Sequence, residues 1–407
     1  MRHALLPVAL SLLASLMAAP LGAAEPTPQR LIDGLSFPTN MAFLPDGTLL
    51  FTEKETGAVR VVTPDGALRD RPFTTLAVMP DAERGLLGIA VHPDFEREPW
   101  VYLYYSDPAD GLNRLVRVRA DGVVAAGEPH TLLDGISAVA GYHNGGDLVF
   151  GVDGSLFVSL GEAHEPKRAQ DERDIGGKVL RLTPGGDVPA DGPFGSGSPV
   201  WSIGHRNSFG LCIDPVTGDL WETENGPDRD DEVNLIARGG NYGWPLVTGR
   251  AGDDRFLDPV VVFPAPIALT GCTVVDGDVW FGSFDGGVWR LPAVGDEPIE
   301  VATFSAGVTD VALGANGLVY VATSDSIWTV QPQTVGATSS QPASSSPVGP
   351  REPAGSPITA DEAGGGWRPW IVSAALVVLA GALGARFVAG RRLRARRKDP
   401  PPGQAGF

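Results

Sequence analysis

Residues 151–160 read GVDGSLFVSL. An Asp-Gly pair suits a tight hairpin turn, and a run of apolar and β-forming residues follows it at once. The same pairing of turn and strand recurs in LPDGTLLFTE (44–53), DPVTGDLWETE (214–224), VDGDVWFGSF (275–284) and GANGLVYVAT (314–323). The steps are 61 residues from Asp153 to Asp214, 62 from there to Asp276, and 40 from Asp276 to Asn316. Units of turn, strand and turn at roughly 40–50 residues describe four-stranded β-propeller blades. The stretch from about residue 30 to 331 has room for about six such units at that length. The reading is an all-β, six-bladed propeller. The uneven spacing leaves a large β-sandwich as the alternative. The 53 glycines and 36 prolines fit many turns rather than long helices. No βαβ pattern, phosphate-binding glycine loop or zinc-ligand spacing is found.

The longer segment GYHNGGDLVFGVDGSLFVSLGE (141–162) places His143 just before one strand and Glu162 just after the next, 19 residues on. If both strands belong to one blade, both loops open on the same end of the ring. A carboxylate there would orient the imidazole and raise its basicity, an arrangement of base and orienter. The plainer alternative is a hydrogen-bonded structural histidine.

A second run, GHRNSFGLCIDPVTGDLWETENGPDRDDEVNLIARGGNYGWP (204–245), gathers His205, Arg206 and Asn207 in one loop. It then offers Asn225-Gly226-Pro227 and the acidic residues Asp228, Asp230, Asp231 and Glu232. A solvated acidic turn is one reading. The other is a calcium site, since calcium takes six to eight hard oxygens.

The ends differ from the middle. Residues 1–24 have a basic start, an apolar stretch and a small-residue exit, the pattern of a secretory signal. Residues 332–366 are rich in Pro, Ser and Gly and read as a flexible stalk. Residues 367–390 read as a single membrane-spanning helix with Arg386 snorkelling, and the basic tail 391–407 as its cytoplasmic side. The propeller is thus expected to be exported and tethered at the outer face of a membrane. Seven basic residues lie between Arg386 and Lys398; without them the formal charge falls from −18 to −25. That argues against nucleic acid as a partner and is compatible with a neutral substrate or with cations. Cys212 and Cys272 could pair in an oxidising compartment or remain two separate buried thiols.

The ordered set FPTNMAFLPDGTLLFTE (37–53), GLLGIAVHPDFEREPWVYLYYS (85–106), the His143 segment, GHRN (204–207), ENGP (224–227) and GGNYGWP (239–245) resembles the soluble glucose and aldose sugar dehydrogenases that depend on pyrroloquinoline quinone (PQQ). These are six-bladed propellers, and sorbosone dehydrogenases and Hedgehog-interacting proteins are similar to them. The resemblance implies oxidation of an aldose to its lactone with PQQ and calcium, the electrons leaving to a membrane carrier or a soluble acceptor. It makes His143 the base for the sugar's anomeric hydroxyl and Glu162 its support, where the family usually has aspartate. It assigns Arg206 and Asn207 to the quinone, with Arg206 at the reacting centre. Asn225 stands where some members have glutamine. The main-chain carbonyls of Gly226 and Pro227 would hold the calcium at the cofactor. Glu232 and the Tyr242 carbonyl would form part of a second, structural calcium site. His92 and His205 are structural by position.

The chain departs from the family late in the propeller. Where relatives carry a lysine, Phe284 and Asp285 stand; where they carry two arginines, Gly307 and Thr309 stand. Losing these partners of the cofactor's carboxylates should weaken its binding. The alternative function is therefore a non-catalytic, calcium-stabilised propeller that binds a glycan or a protein.

Overall fold

The strand Leu49–Glu53 is buried at every position, as are Leu156–Leu160 and Leu220–Glu224. A strand buried on both faces must be covered on both faces, which a stack of sheets packed face to face provides. The computed structural model describes residues 27–292 and 297–332 and shows such a stack. There are six four-stranded antiparallel sheets. They span residues 38–75, 86–136, 148–203, 208–263 and 269–303, and the sixth combines 308–330 with an N-terminal strand. We number them blades 1 to 6. The β-sandwich alternative is excluded. The expected signal (1–24), the stalk beyond residue 332, the span (367–390) and the tail (391–407) lie outside the described residues.

The ring closes through its ends. The strand Gln29–Asp33 pairs antiparallel with Ser326–Val330 and completes blade 6 from outside. Six apolar clusters lie one in each gap between neighbouring blades. Leu50, Val59, Leu103 and Val116 join blades 1 and 2, for example, and Met41, Phe51, Ala322 and Ile327 join blades 6 and 1. Each fully buried Leu, Val or Phe contributes about 1.5–3 kcal/mol, so the core is distributed around the ring.

Polar side chains tie the innermost strands together. The Met41 N–H donates to Asp310 Oδ2 at 2.8 Å, linking blades 1 and 6. The Ile89 N–H donates to Asn40 Oδ1 at 3.0 Å, linking blades 2 and 1. The Leu211 N–H donates to Asp147 Oδ2 at 2.7 Å, linking blades 4 and 3. Asn40 Nδ2 also donates to Asp147 Oδ1 at 3.0 Å, between blades 1 and 3. Cys212 and Cys272, on the innermost strands of blades 4 and 5, form a disulfide with Cα atoms 5.6 Å apart. The two-thiol alternative is thereby resolved.

The turns at Asp46-Gly47, Asp153-Gly154, Asp276-Gly277 and Asn316-Gly317 each join the innermost strand of a blade to its second strand. They occupy one end of the ring. The loop entering each blade and the loop leaving its second strand therefore meet at the other end, which fixes where a site can form.

Candidate active site

His143 lies in the loop entering blade 3 and Glu162 in the loop leaving that blade's second strand. His143 Nδ1 and Glu162 Oε1 are 2.6 Å apart, with His143 7% and Glu162 1% exposed. The loop around His143 is held from several sides. Its backbone has φ of +56°. Its N–H donates to Glu83 Oε2 at 2.7 Å, and its carbonyl accepts the Ala163 N–H at 3.1 Å. The Glu162 N–H donates to the Arg206 carbonyl at 2.9 Å, tying blade 3 to blade 4. A carboxylate at Nδ1 selects the tautomer protonated there. Nε2 then carries the lone pair, and it makes no hydrogen bond among the described residues.

Blade 4 repeats the construction. Arg206 and Asn207 enter it, and Asn225, Gly226 and Pro227 leave its second strand. Arg206 Nη1 donates to the Asn225 carbonyl at 2.9 Å, and the guanidinium lies 5.5 Å from the Trp244 ring centroid. Asn207 Nδ2 donates to Glu83 Oε2 at 3.3 Å, so Glu83 touches both the His143 backbone and Asn207. Asn207 Oδ1, Asn225 Oδ1 and Glu162 Oε2 are buried and make no hydrogen bond among the described residues. Buried orphan acceptors of this kind call for a partner from outside the chain.

The turn at Gly226 is closed by Asp231, whose Oδ1 accepts the Gly226 N–H at 2.9 Å. Asp231 Oδ2 accepts the Ile267 and Ala268 N–H groups, each at 2.8 Å. A side chain cannot be added at Gly226, because a Cβ there would sit 1.9 Å from the Arg229 carbonyl oxygen. Among the described residues, the carbonyls of Gly226, Pro227 and Tyr242 accept no hydrogen bond. Glu232 faces Glu224 across a strand pair. Burial, and then the Glu224 charge, push its carboxyl up to about 8. Arg206, Gly226, Glu232 and Tyr242 line one cavity together with Glu224 and Asp230. The structure thus brings Gly226, expected at one calcium position, and Glu232 and Tyr242, expected at another, around one small space that Pro227 does not line.

His205 behaves as expected of a structural residue. It is fully buried, with Nδ1 2.9 Å from Glu222 and 3.3 Å from Glu224, and Nε2 2.8 Å from Ser202 Oγ. Burial opposes its charge, but the two carboxylates outweigh burial and push it up to about 10. His92 packs against Tyr102 and Phe150 in the turn leaving the innermost strand of blade 2, at the end away from His143.

The family model described as Glucose / Sorbosone dehydrogenase matches residues 35–328. The chain belongs to the glucose/sorbosone dehydrogenase family. It is 30% identical over 335 residues to aldose sugar dehydrogenase YliI of Escherichia coli (strain K12), covering 73% of this chain and 89% of that one. It is 31% identical over 260 residues to quinoprotein glucose dehydrogenase B of Acinetobacter calcoaceticus, covering 56% and 54% of the two chains. The PQQ-bound aldose sugar dehydrogenase of Streptomyces coelicolor superposes with a TM-score of 0.68 at 32% identity, over 76% of this chain and 99% of that one. Membership of this family supports an oxidoreductase of the sugar dehydrogenase type.

Sequence reasoning overlooked several groups at the His143 end of the ring. Glu83 enters blade 2 and holds both His143 and Asn207. The His164 ring lies 4.1 Å from that of His143, with Tyr142 beyond it at 5.5 Å. Burial, and then the His143 charge, lower the His164 pKa, which favours a neutral second imidazole. Trp244 covers Arg206. The signal was available in the rule that loops before a first strand and after a second strand share one end. It needed the strand order of all six blades to be used.

Proposed function

We propose that the chain is a PQQ- and calcium-dependent dehydrogenase that oxidises an aldose at its anomeric hydroxyl, giving the lactone. The carrying observation is the 2.6 Å contact of His143 Nδ1 with Glu162, which leaves Nε2 as a free base. The site residues fit the two groups. The unengaged Gly226 and Pro227 carbonyls would offer hard oxygens to calcium, and Arg206 with the orphan acceptor of Asn207 would meet a polar ligand. When bound, the quinone supplies a two-electron acceptor and calcium polarises it. His143 Nε2 takes the proton of the anomeric O–H, while C1 gives up its hydrogen with two electrons. Glu162 keeps the Nδ1–H in place and stabilises the imidazolium that forms. Arg206, largely removed from water, supplies fixed positive charge beside the developing negative charge.

Residues 1–24 and 367–390 support export and anchoring at the outer face of a membrane. The Cys212–Cys272 disulfide agrees with an oxidising compartment. Protease added to intact cells should then release the propeller by cutting the stalk; a protected propeller would overturn this placement. The electron acceptor would be a membrane carrier or a soluble protein. A non-catalytic propeller is the second reading, favoured by the lack of basic side chains at Phe284, Asp285, Gly307 and Thr309. The test is reconstitution of the purified full chain with PQQ and calcium, followed by dye reduction across a sugar panel. Turnover supports the dehydrogenase; calcium binding without turnover on any aldose supports the second reading.

A further inference from the structure

Lys54 is not used by the chemistry above. It leaves the second strand of blade 1, Leu49–Glu53, and so opens on the end of the ring that carries His143. It is 8% exposed. Among the described residues its ammonium makes no hydrogen bond and no ion pair, and it lies over the face of Phe37, 5.4 Å from the ring centroid. The other buried lysine among the described residues shows what a structural one looks like. Lys178 Nζ donates to the carbonyls of Arg168, Ala169 and Gly176 at 2.6, 3.0 and 2.8 Å. Lys54 has none of these. The Lys54 ammonium is partly desolvated, has no protein partner and keeps some contact with solvent, so it is open to a partner from elsewhere.

The surroundings point the same way. Glu55, Asp81 and Glu83 are close enough to act on the charge, but burial outweighs them and lowers the Lys54 pKa. Two of these carboxylates are already engaged, Asp81 with Arg84 and Glu83 with the His143 N–H and Asn207. The stem of Lys54 passes Gly85, where a Cβ would lie 2.6 Å from its Cγ, so Gly85 keeps room for it. Beside the ammonium, Phe37 reaches Phe284 of blade 5 with ring centroids 6.0 Å apart. The Phe284 ring in turn lies against Gly307 at the entrance to blade 6. The result is an aromatic surface of two rings tilted by 30°, next to a cation without a partner among the described residues, with Glu83 linking that wall to His143.

We infer that Lys54 is the anion anchor of this site, its ammonium receiving a carboxylate of a molecule held beside His143. The inference rests on the proposed function for the position of that molecule. The carboxylate belongs either to the quinone cofactor or to a sugar acid, and the experiment separates the two. PQQ and, separately, a hexuronate are titrated calorimetrically into calcium-loaded full chain, its Lys54→Met and Lys54→Arg variants, and an Arg97→Gln control that removes a charge at the far end of the ring. Melting temperature without ligand is read in parallel. Removing the charge-assisted contact should weaken binding roughly ten- to hundredfold, with partial recovery in Lys54→Arg and no change in the control. The melting temperature of Lys54→Met without ligand should hold or rise, because a partly desolvated charge with no protein partner has been removed. Weakened PQQ binding alone assigns the carboxylate to the cofactor; weakened hexuronate binding alone assigns it to the substrate. If the unaltered chain binds no PQQ, the cofactor reading fails and the hexuronate titration decides the anchor. Unchanged affinity for both ligands, or a lowered melting temperature with unchanged affinity, overturns it.

Discussion

His143 and Glu162 stand at opposite ends of one stretch of blade 3, and their side chains meet at 2.6 Å. The contact follows from connectivity: the loop before an innermost strand and the loop after its neighbour must lie at the same end of an antiparallel blade. A 19-residue spacing in sequence thereby becomes a hydrogen bond. The other carboxylate oxygen of Glu162 is buried without a partner among the described residues. The pair is therefore held in place while one of its acceptors stays unmet.

If His143 is the base, His143→Ala should lower turnover on the order of 10²–10⁴-fold while the melting temperature stays nearly unchanged. Glu162→Gln should lower turnover by less, since the imidazole stays in place and loses only its charge partner. Steady-state kinetics with calorimetry on the same samples checks both. A His143→Ala protein that loses its fold would assign His143 to structure instead.

How much of this was legible in the sequence depends on the element. Asp153-Gly154, Asp276-Gly277 and Asn316-Gly317 marked their inner hairpins because a tight turn next to a buried strand is a local signal. Their unequal spacing was misleading because it counts loops: blade 3 carries long connections at 161–177 and 183–199, whereas blade 5 turns in three residues between Asp278–Ser283 and Gly287–Leu291. The closing strand Gln29–Asp33 has no pattern that names its partner at Ser326–Val330. Lys54, Glu83 and His164 were missed for the same reason. Which loop tips meet around the axis is decided by pairings hundreds of residues apart.

The buried His205 predicts a pH dependence. Its folded pKa of about 10 exceeds the ordinary histidine value of 6.5, so the folded state holds the proton more tightly. Its stabilising contribution is complete below pH 6.5 and is lost as pH rises towards 10. Chemical denaturation from pH 6.5 to 10 should show falling stability, and His205→Gln should flatten that slope. The variant should also be destabilised by roughly 3–5 kcal/mol, because Glu222 and Glu224 are left buried without their cation. An unchanged slope in His205→Gln would place the dependence in another group.

Reduction should act on the ring as a whole. The Cys212–Cys272 bond closes a loop of 60 residues between the innermost strands of blades 4 and 5. Removing it should cost about 2–4 kcal/mol, seen as a lower denaturation midpoint with reductant or in the double Cys→Ser variant. The propeller should still fold, because each gap between blades retains its own apolar cluster. A midpoint insensitive to reductant, with the bond shown to be reduced, would mean that residual structure already restrains the unfolded chain as much as the bond does.

Gly226 gives the sharpest test of the calcium reading. A Cβ at this position would sit 1.9 Å from the Arg229 carbonyl oxygen and 2.7 Å from that of Asp230. Both are backbone atoms, so Gly226→Ala must move the 226–231 turn. The Gly226 and Pro227 carbonyls move with it. The blades are held elsewhere, by Asp147, Asn40 and Asp310 near the axis and by the apolar clusters between sheets. The variant should therefore stay folded, with normal far-ultraviolet circular dichroism, and lose most of the rise in melting temperature that calcium gives the unaltered chain. Ten-fold in calcium affinity corresponds to about 1.4 kcal/mol, so even a modest displacement should be readable by titration calorimetry. Asp231→Asn is the companion variant. Its Oδ2 accepts from Ile267 and Ala268 while its Oδ1 accepts from Gly226, and an amide can serve only one of those oxygens' roles. If calcium stabilises both variants as it does the unaltered chain, its oxygens come from somewhere other than this turn.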